Sequence, residues 1–169
     1  KISGGGSTEA TVIAWIWART VKCPNPACGC EMPLASSFVL SKKKGKEAYI
    51  VPEYDAAGKC FRYHVYCDSK KPPEPPKTAR GAKFKCLACG EATSDNYIKE
   101  EGCAHRMGAQ LMAIVAEGKN GRIYMSPDDE HIAAAKVNRP DNVPVGELAG
   151  DKRAIWCPLY GLTDFADLF

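Results

Sequence analysis

The sequence predicts an α+β fold of mostly antiparallel short strands and hairpins, with one or two helices in its second half. Three observations support this class. Two short cysteine pairs, each followed by glycine, are typical of a metal-bound ribbon. Apolar, β-branched runs alternate with turns rich in Gly, Lys and Pro, and signals for helix starts appear only after residue 92.

The cysteine pairs are Cys23 and Cys28, in CPNPACG, and Cys86 and Cys89, in CLACG. We call residues 23–29 the first hook and residues 86–90 the second hook. Each hook ends in Ala-Cys-Gly, and glycine tolerates the positive φ of a tight turn that presents two thiolates. Four thiolates fill the tetrahedral shell of zinc. We therefore expect a zinc ribbon with one structural Zn²⁺ held by these four cysteines.

The other cysteines and histidines are poorer candidates for metal ligands. Cys30 is the rival in the first hook, but its spacing from Cys23 is longer and it lacks the repeated Ala-Cys-Gly context. A second metal site would have to combine Cys60, His64, Cys67, Cys103 and His105. We do not expect it, because a strand would point the first and third of these to opposite faces. These thiols are interpreted as buried or incidental.

Disulfides are not expected among the nine cysteines, because their number is odd and the paired hooks have metal-binding spacing. Cys157, beside a tryptophan, is interpreted as a core residue.

The predicted strands follow from local patterns. TVIAWIWARTVKC is β-branched and aromatic, and it places Ile13, Trp15 and Trp17 on one face, which we expect to lie in the core. SSFVLSKKKGKEAYIVPEY predicts a hairpin that turns at Gly45, and CFRYHVYC predicts a further strand. QLMAIVAEGKNGRIYMSP predicts a second hairpin.

Two helices are predicted from their N-terminal signals. SDNYIKEEG offers Ser94 or Asp95 as an N-cap. In SPDDEHIAAAKV, Ser126 is the expected N-cap, with three acidic residues at the positive end of the helix.

The chain divides into four predicted parts. Residues 1–10 form a flexible lead-in, and residues 11–92 form the zinc-ribbon region, with a basic hairpin and a Pro-rich linker (69–82). Residues 93–139 form a helix, hairpin, helix region, and residues 140–169 form a loop and C-terminal segment.

Positive charge is concentrated in the middle of the chain. The net charge is +3, yet residues 42–85 hold twelve Lys or Arg against five Asp or Glu, a local charge of +7. Clustered cations can neutralise phosphates, although lysine-rich turns also serve solubility. The candidate nucleic-acid contacts are Lys42, Lys43, Lys44, Lys46, Arg80, Lys83 and Lys85.

The sequence contains no motif for catalysis. It lacks a Gly-rich phosphate loop, a nucleophile elbow, and the metalloprotease and cytidine-deaminase signatures, so we expect no catalytic residues and no activity of the chain alone. The longest apolar run, residues 12–18, is too short to span a bilayer, and no secretory signal precedes it. We therefore expect a cytoplasmic protein without membrane contact.

Several strings resemble a known family: ATVIAWIWARTVKCPNPACGCEMPLASSFVLSKKKGK, CLACG, YIKEEG, RMGAQLMAIVAEGKNGRIYMSP and YGLTDFADLF. They are similar to the zinc-ribbon-bearing, adenine-specific DNA methylases that carry the amino-terminal domain of unknown function 1156. The similarity runs over nearly the whole chain and is weakest in residues 53–80.

The resemblance implies that this chain is a zinc-binding insertion within an S-adenosylmethionine-dependent methyltransferase, between its cofactor motif and its catalytic motif. It implies zinc ligation by the four hook cysteines, with residues 140–169 continuing into the parent. The expected partners are DNA, through the parent protein, and the methylase domain of the same polypeptide. S-adenosylmethionine is expected for the parent only, because no Asp/Asn-Pro-Pro-Tyr/Phe string occurs here. The alternative is a purely structural or protein-interaction module without nucleic-acid contact.

Overall fold

The structure is a computed structural model that describes residues 2–4, 8–119, 121–137, 141–148 and 157–168. The strands are β1 (Ile2–Gly4), β2 (Thr8–Lys22), β3 (Glu31–Pro33), β4 (Val39–Ser41), β5 (Ala48–Asp55), β6 (Cys60–Tyr66), β7 (Lys77–Ala79), β8 (Lys83–Lys85), β9 (Ala92–Thr93), β10 (Gly108–Gly118) and β11 (Gly121–Met125). The helices are α1 (Asp95–Cys103) and α2 (Asp129–Ala134), and 3-10 helices span Pro158–Tyr160 and Phe165–Leu168.

The main sheet is antiparallel and has the strand order β1-β2-β10-β11, with β3 paired to the C-terminal end of β2. Its centre is the long pair of β2 and β10, which runs from Thr20 opposite Gly108 to Thr11 opposite Glu117. β-Branched and aromatic residues dominate β2 and favour this extended conformation. The last residue of β2, Lys22, leads directly into the first hook.

Two smaller antiparallel sheets complete the strands, β4-β5-β6 and β7-β8-β9. The predicted hairpin at Gly45 is confirmed: β4 pairs with β5, and Gly45 has a φ of 74° in the turn. The second predicted hairpin is β10 with β11. The Tyr63 hydroxyl of β6 donates to Gln110 Oε1 of β10 at 3.1 Å, so the second sheet packs on one face of the main sheet. The predicted α+β class, mostly antiparallel strands with two helices, is confirmed.

The helix caps agree with the sequence in one case and differ in the other. Ser94 caps α1, because its side chain accepts a hydrogen bond from the Tyr97 N–H. The prediction that Ser126 caps α2 is wrong. Its hydroxyl accepts the N–H of Val65 in β6 instead, and Asp128 caps the helix by accepting the His131 N–H.

The core combines side chains from all three sheets, α1 and both hooks. Its largest fully buried side chains include Phe38, Met32, Ile50 and Ile98. The tryptophans are not part of it: Trp15 is 42% exposed and Trp17 is 41% exposed. Their predicted burial is therefore wrong, and the reason is that the β4-β5-β6 sheet covers the opposite face of the main sheet. No helix in the described ranges is long and apolar enough to cross a membrane.

Residues 157–162 dock against α1 through two glycines. The Tyr160 hydroxyl donates to the Asp95 carboxylate at 3.2 Å, and the Cys103 thiol lies 3.5 Å from the Leu159 carbonyl oxygen. Gly102 and Gly161 allow the backbones to approach, since a Cβ on Gly102 would lie 2.5 Å from the Tyr160 carbonyl oxygen. Any side chain at position 102 would therefore push this segment away from α1.

We expect Gly102→Ala to destabilise the protein by roughly 1–3 kcal/mol, the usual effect of overpacking. The same change in an open helix would stabilise it by up to about 1 kcal/mol. Chemical denaturation measures the difference. Asn96→Ala, at an exposed position of the same helix, is the control and should be neutral or slightly stabilising. A Gly102→Ala protein as stable as the wild type would contradict the close approach.

Candidate metal centre

The first hook is a tight turn stabilised by its own backbone. The Asn25 carbonyl accepts the N–H groups of Cys28 and Gly29, and the Asn25 side chain accepts the Ala27 N–H. Gly29 has a φ of 57°, the left-handed conformation that glycine adopts without strain. The Cys23 N–H donates to the Cys30 carbonyl at 2.8 Å, which closes the turn. Both cysteines of the hook consequently face the same side.

The second hook has similar geometry. It follows β8, and the Cys86 N–H donates to the Glu91 carbonyl at 2.7 Å. The Gly90 N–H donates to the Cys86 carbonyl at 2.8 Å, and Gly90 has a φ of 78°. The glycine after the second cysteine therefore has the positive φ in both hooks.

The structure brings the four predicted cysteines together. The ligand atoms of Cys23, Cys28, Cys86 and Cys89 all lie within 4.8 Å of one another. The sulfurs of Cys23 and Cys89 are 3.6 Å apart, and those of Cys28 and Cys86 are 3.9 Å apart. Each hook contributes one buried cysteine (Cys23, Cys86) and one more accessible cysteine (Cys28, Cys89). The centre is thus a cluster of four thiols at the edge of the core, close enough together to hold one metal ion.

The thiols of the centre have different environments, which shift their pKa values in opposite directions. Burial raises the pKa of the Cys23 thiol, whereas the backbone N–H of Cys30 lowers the pKa of the Cys28 thiol to about 7. Without a metal, Cys23 would hold its proton at neutral pH, because a buried thiolate lacks solvation. A metal ion displaces such protons and compensates the charge of the thiolates.

Cys30 is a fifth thiol at the edge of the centre. It is fully buried, and its sulfur lies 3.3 Å from that of Cys86. The group of mutually close ligand atoms nevertheless comprises only the four hook cysteines in the described part of the chain. Burial also raises the pKa of the Cys30 thiol. The Cys28-Gly29-Cys30 string indicates that Cys30 is near the hook, but spacing alone could not place it behind Cys86.

The remaining cysteines and histidines lie apart from this centre. His64 pairs with Glu53 at 2.8 Å, and Cys103 contacts the Pro158 and Leu159 carbonyls. Cys67 is exposed, Cys60 is partly buried, and Cys157 is only half-buried.

The candidate nucleic-acid contacts fall in two groups on different sheets. Lys42, Lys43, Lys44 and Lys46 are exposed in the turn between β4 and β5. Arg80 and Lys83 are exposed at the turn between β7 and β8, close in sequence to the second hook. Lys85 is partly buried, and its ammonium lies 3.7 Å from the Glu74 carboxylate. The cation closest to the second hook is therefore already partly neutralised.

No protein-family model, curated protein or solved structure matches this chain. The chemistry of the centre and of the surfaces around it therefore follows from their own geometry.

We expect Cys86→Ser to abolish metal binding, because it removes a buried ligand from the second hook. Cys30→Ala should keep about one metal ion per chain, since Cys30 lies outside the four-thiol group. Elemental analysis of the purified full chain measures both, with Cys103→Ser as a control in a thiol remote from the centre. Loss of metal in Cys30→Ala together with retention in Cys28→Ser would show that Cys30 is the ligand instead.

Proposed function

We propose that the centre holds one Zn²⁺ with a structural role. Four thiolates in a tetrahedron are typical of zinc or iron–sulfur sites, and two short hooks closed by glycine are the usual frame of a zinc ribbon. At a Zn–S distance of about 2.3 Å, tetrahedral sulfurs lie about 3.8 Å apart. The 3.6 and 3.9 Å separations across the hooks are close to this value.

A zinc ion in this site would stabilise the fold and take no part in a reaction. Four protein thiolates leave no open position for water or substrate. The bridged residues Cys28 and Cys86 are separated by 58 positions, so the ion would tie together two distant parts of the chain. Zinc binding and folding of the hooks are then coupled.

We further propose that the chain is an accessory insertion of a DNA adenine methylase that helps to hold DNA near the catalytic domain. The family-like strings described above support this parentage, and they include both hooks. Methyl transfer from S-adenosylmethionine to the adenine amine would belong to the parent protein. This chain would contribute a zinc-stabilised scaffold and positive charge.

The exposed lysines at the turn between β4 and β5 carry the proposal of DNA contact. Consecutive residues Lys42, Lys43 and Lys44 are all exposed and stand at the tip of a hairpin, from which they can reach phosphates without rearranging the fold. Binding of this kind is dominated by the release of counterions and falls steeply with salt.

We expect the full chain to bind duplex DNA at low salt and the Lys43→Gln/Lys44→Gln variant to bind it more weakly. The negative slope of log K against log salt should become less steep, by up to about 0.9 for each phosphate that the variant leaves without a lysine partner. Fluorescence anisotropy across a salt series measures both quantities. Lys59→Gln/Lys136→Gln is the control, because it removes two charges at exposed lysines outside the turn between β4 and β5.

Two results would contradict the proposal. One is the absence of binding at low salt, which would favour the alternative of a structural or protein-interaction ribbon. The other is an equal loss of affinity in both double variants, which would show that net charge alone, rather than this hairpin, attracts DNA.

A further inference from the structure

The main sheet presents an apolar face that the rest of the described chain leaves partly open. Two residues of β2 lie on it: Trp15 is 42% exposed and Trp17 is 41% exposed. Ile123 of β11 is 42% exposed. Exposed tryptophans at alternate positions of a central strand are unusual for a surface without a partner.

The strand register places these side chains on one side of the sheet. Trp17 is opposite Leu111 and Trp15 is opposite Ile114, both in β10, and Ala116 of β10 is opposite Ile123. Residues directly opposite each other in antiparallel strands project to the same face. Gln110, next to Leu111, points to the other face and bonds to Tyr63 of the second sheet. The tryptophans are thus on the face turned away from that sheet.

Arg19 gives this face a positive charge. Arg19 follows Trp17 at the next alternate position of β2 and is exposed. Its one side-chain hydrogen bond within the described residues is to the Met107 sulfur at 3.8 Å, and no carboxylate among them pairs with it. The neighbouring strands add no acidic residue to this face, where their side chains are Ala109, Leu111, Ile114, Ala116, Ile123 and Met125.

Flat aromatic rings beside an unpaired guanidinium fit a ligand that is both flat and anionic. Stacking of bases on aromatic side chains, with cations on the phosphates, is the general mode of single-strand binding. Residues two apart on a strand are separated by about 6.8 Å. In a duplex, the faces of each base are covered by neighbouring bases at a rise of about 3.4 Å. A base can lie against a tryptophan ring only with a face that no other base covers, as a single strand allows.

We propose that Trp15 and Trp17 form a stacking surface for unpaired bases of single-stranded DNA, with Arg19 contacting the phosphate between or beside them. This inference rests on the proposed function, in which DNA is the partner. It adds a second surface, distinct from the lysines at the turn between β4 and β5, and it assigns unpaired bases to the tryptophans and duplex phosphates to the lysines.

The test compares binding of a labelled oligothymidylate and a labelled duplex to the full chain. Trp15→Leu/Trp17→Leu keeps apolar side chains opposite the buried Leu111 and Ile114 but removes the flat rings. We expect it to weaken single-strand binding at least about tenfold. Trp15→Phe/Trp17→Phe should restore part of the affinity, which a purely structural role would not predict. In a Trp156→Phe background, the oligothymidylate should quench the fluorescence of the two remaining tryptophans.

The outcomes separate this inference from the proposed function. Unchanged single-strand affinity in the Leu variant would overturn the stacking surface, while loss of duplex binding in Lys43→Gln/Lys44→Gln would still support the lysine contact. A dimer in sedimentation experiments that the Leu variant dissolves would also overturn it, because the face would then bind a second copy. Loss of single-strand binding in the Leu variant with normal duplex binding supports it. No binding of either DNA would contradict both proposals.

Discussion

The convergence of the two hooks is the constraint on which the rest of the fold depends. β2 delivers the first hook and β8 delivers the second, and the sulfurs of Cys28 and Cys86 meet although 58 positions separate them. The chain between the hooks forms β3 to β8, and its apolar residues share one core with Cys23 and Cys86. Closing so long a segment costs chain entropy. A metal ion bound to both hooks would offset this cost in the folded state.

The candidate metal centre and the proposed DNA-binding surfaces lie on different parts of the fold. The candidate metal centre lies against the core, and a metal ion bound there would occupy all four thiolates. The surfaces available to a partner lie elsewhere, at the turn between β4 and β5 and on the tryptophan-bearing face of the main sheet. That face is open because the second sheet packs on the opposite side, through the hydrogen bond between Tyr63 and Gln110. Phosphate contact and base stacking would then use different elements of one rigid frame.

Local features explain what the sequence could predict, and long-range packing explains what it could not. The hooks were predictable because spacing and glycine encode their geometry within a few residues, and Ser94 caps α1 for an equally local reason. Ser126 does not cap α2 because its hydroxyl accepts a hydrogen bond from the N–H of Val65, 61 positions away. The alternation of Trp15 and Trp17 indicates a shared face. It could not indicate which face the second sheet would cover, so their exposure and the closeness of Cys30 to Cys86 required the three-dimensional structure.

X-ray absorption at the zinc edge, recorded on the purified full chain, tests the proposed four-cysteine zinc centre most directly. We expect a single shell of four sulfur ligands at about 2.3 Å, with no nitrogen or oxygen in the first coordination sphere. A shell containing nitrogen or oxygen would show that the four thiols do not close the site. A fully folded protein without metal would contradict the dependence of the fold on the two hooks.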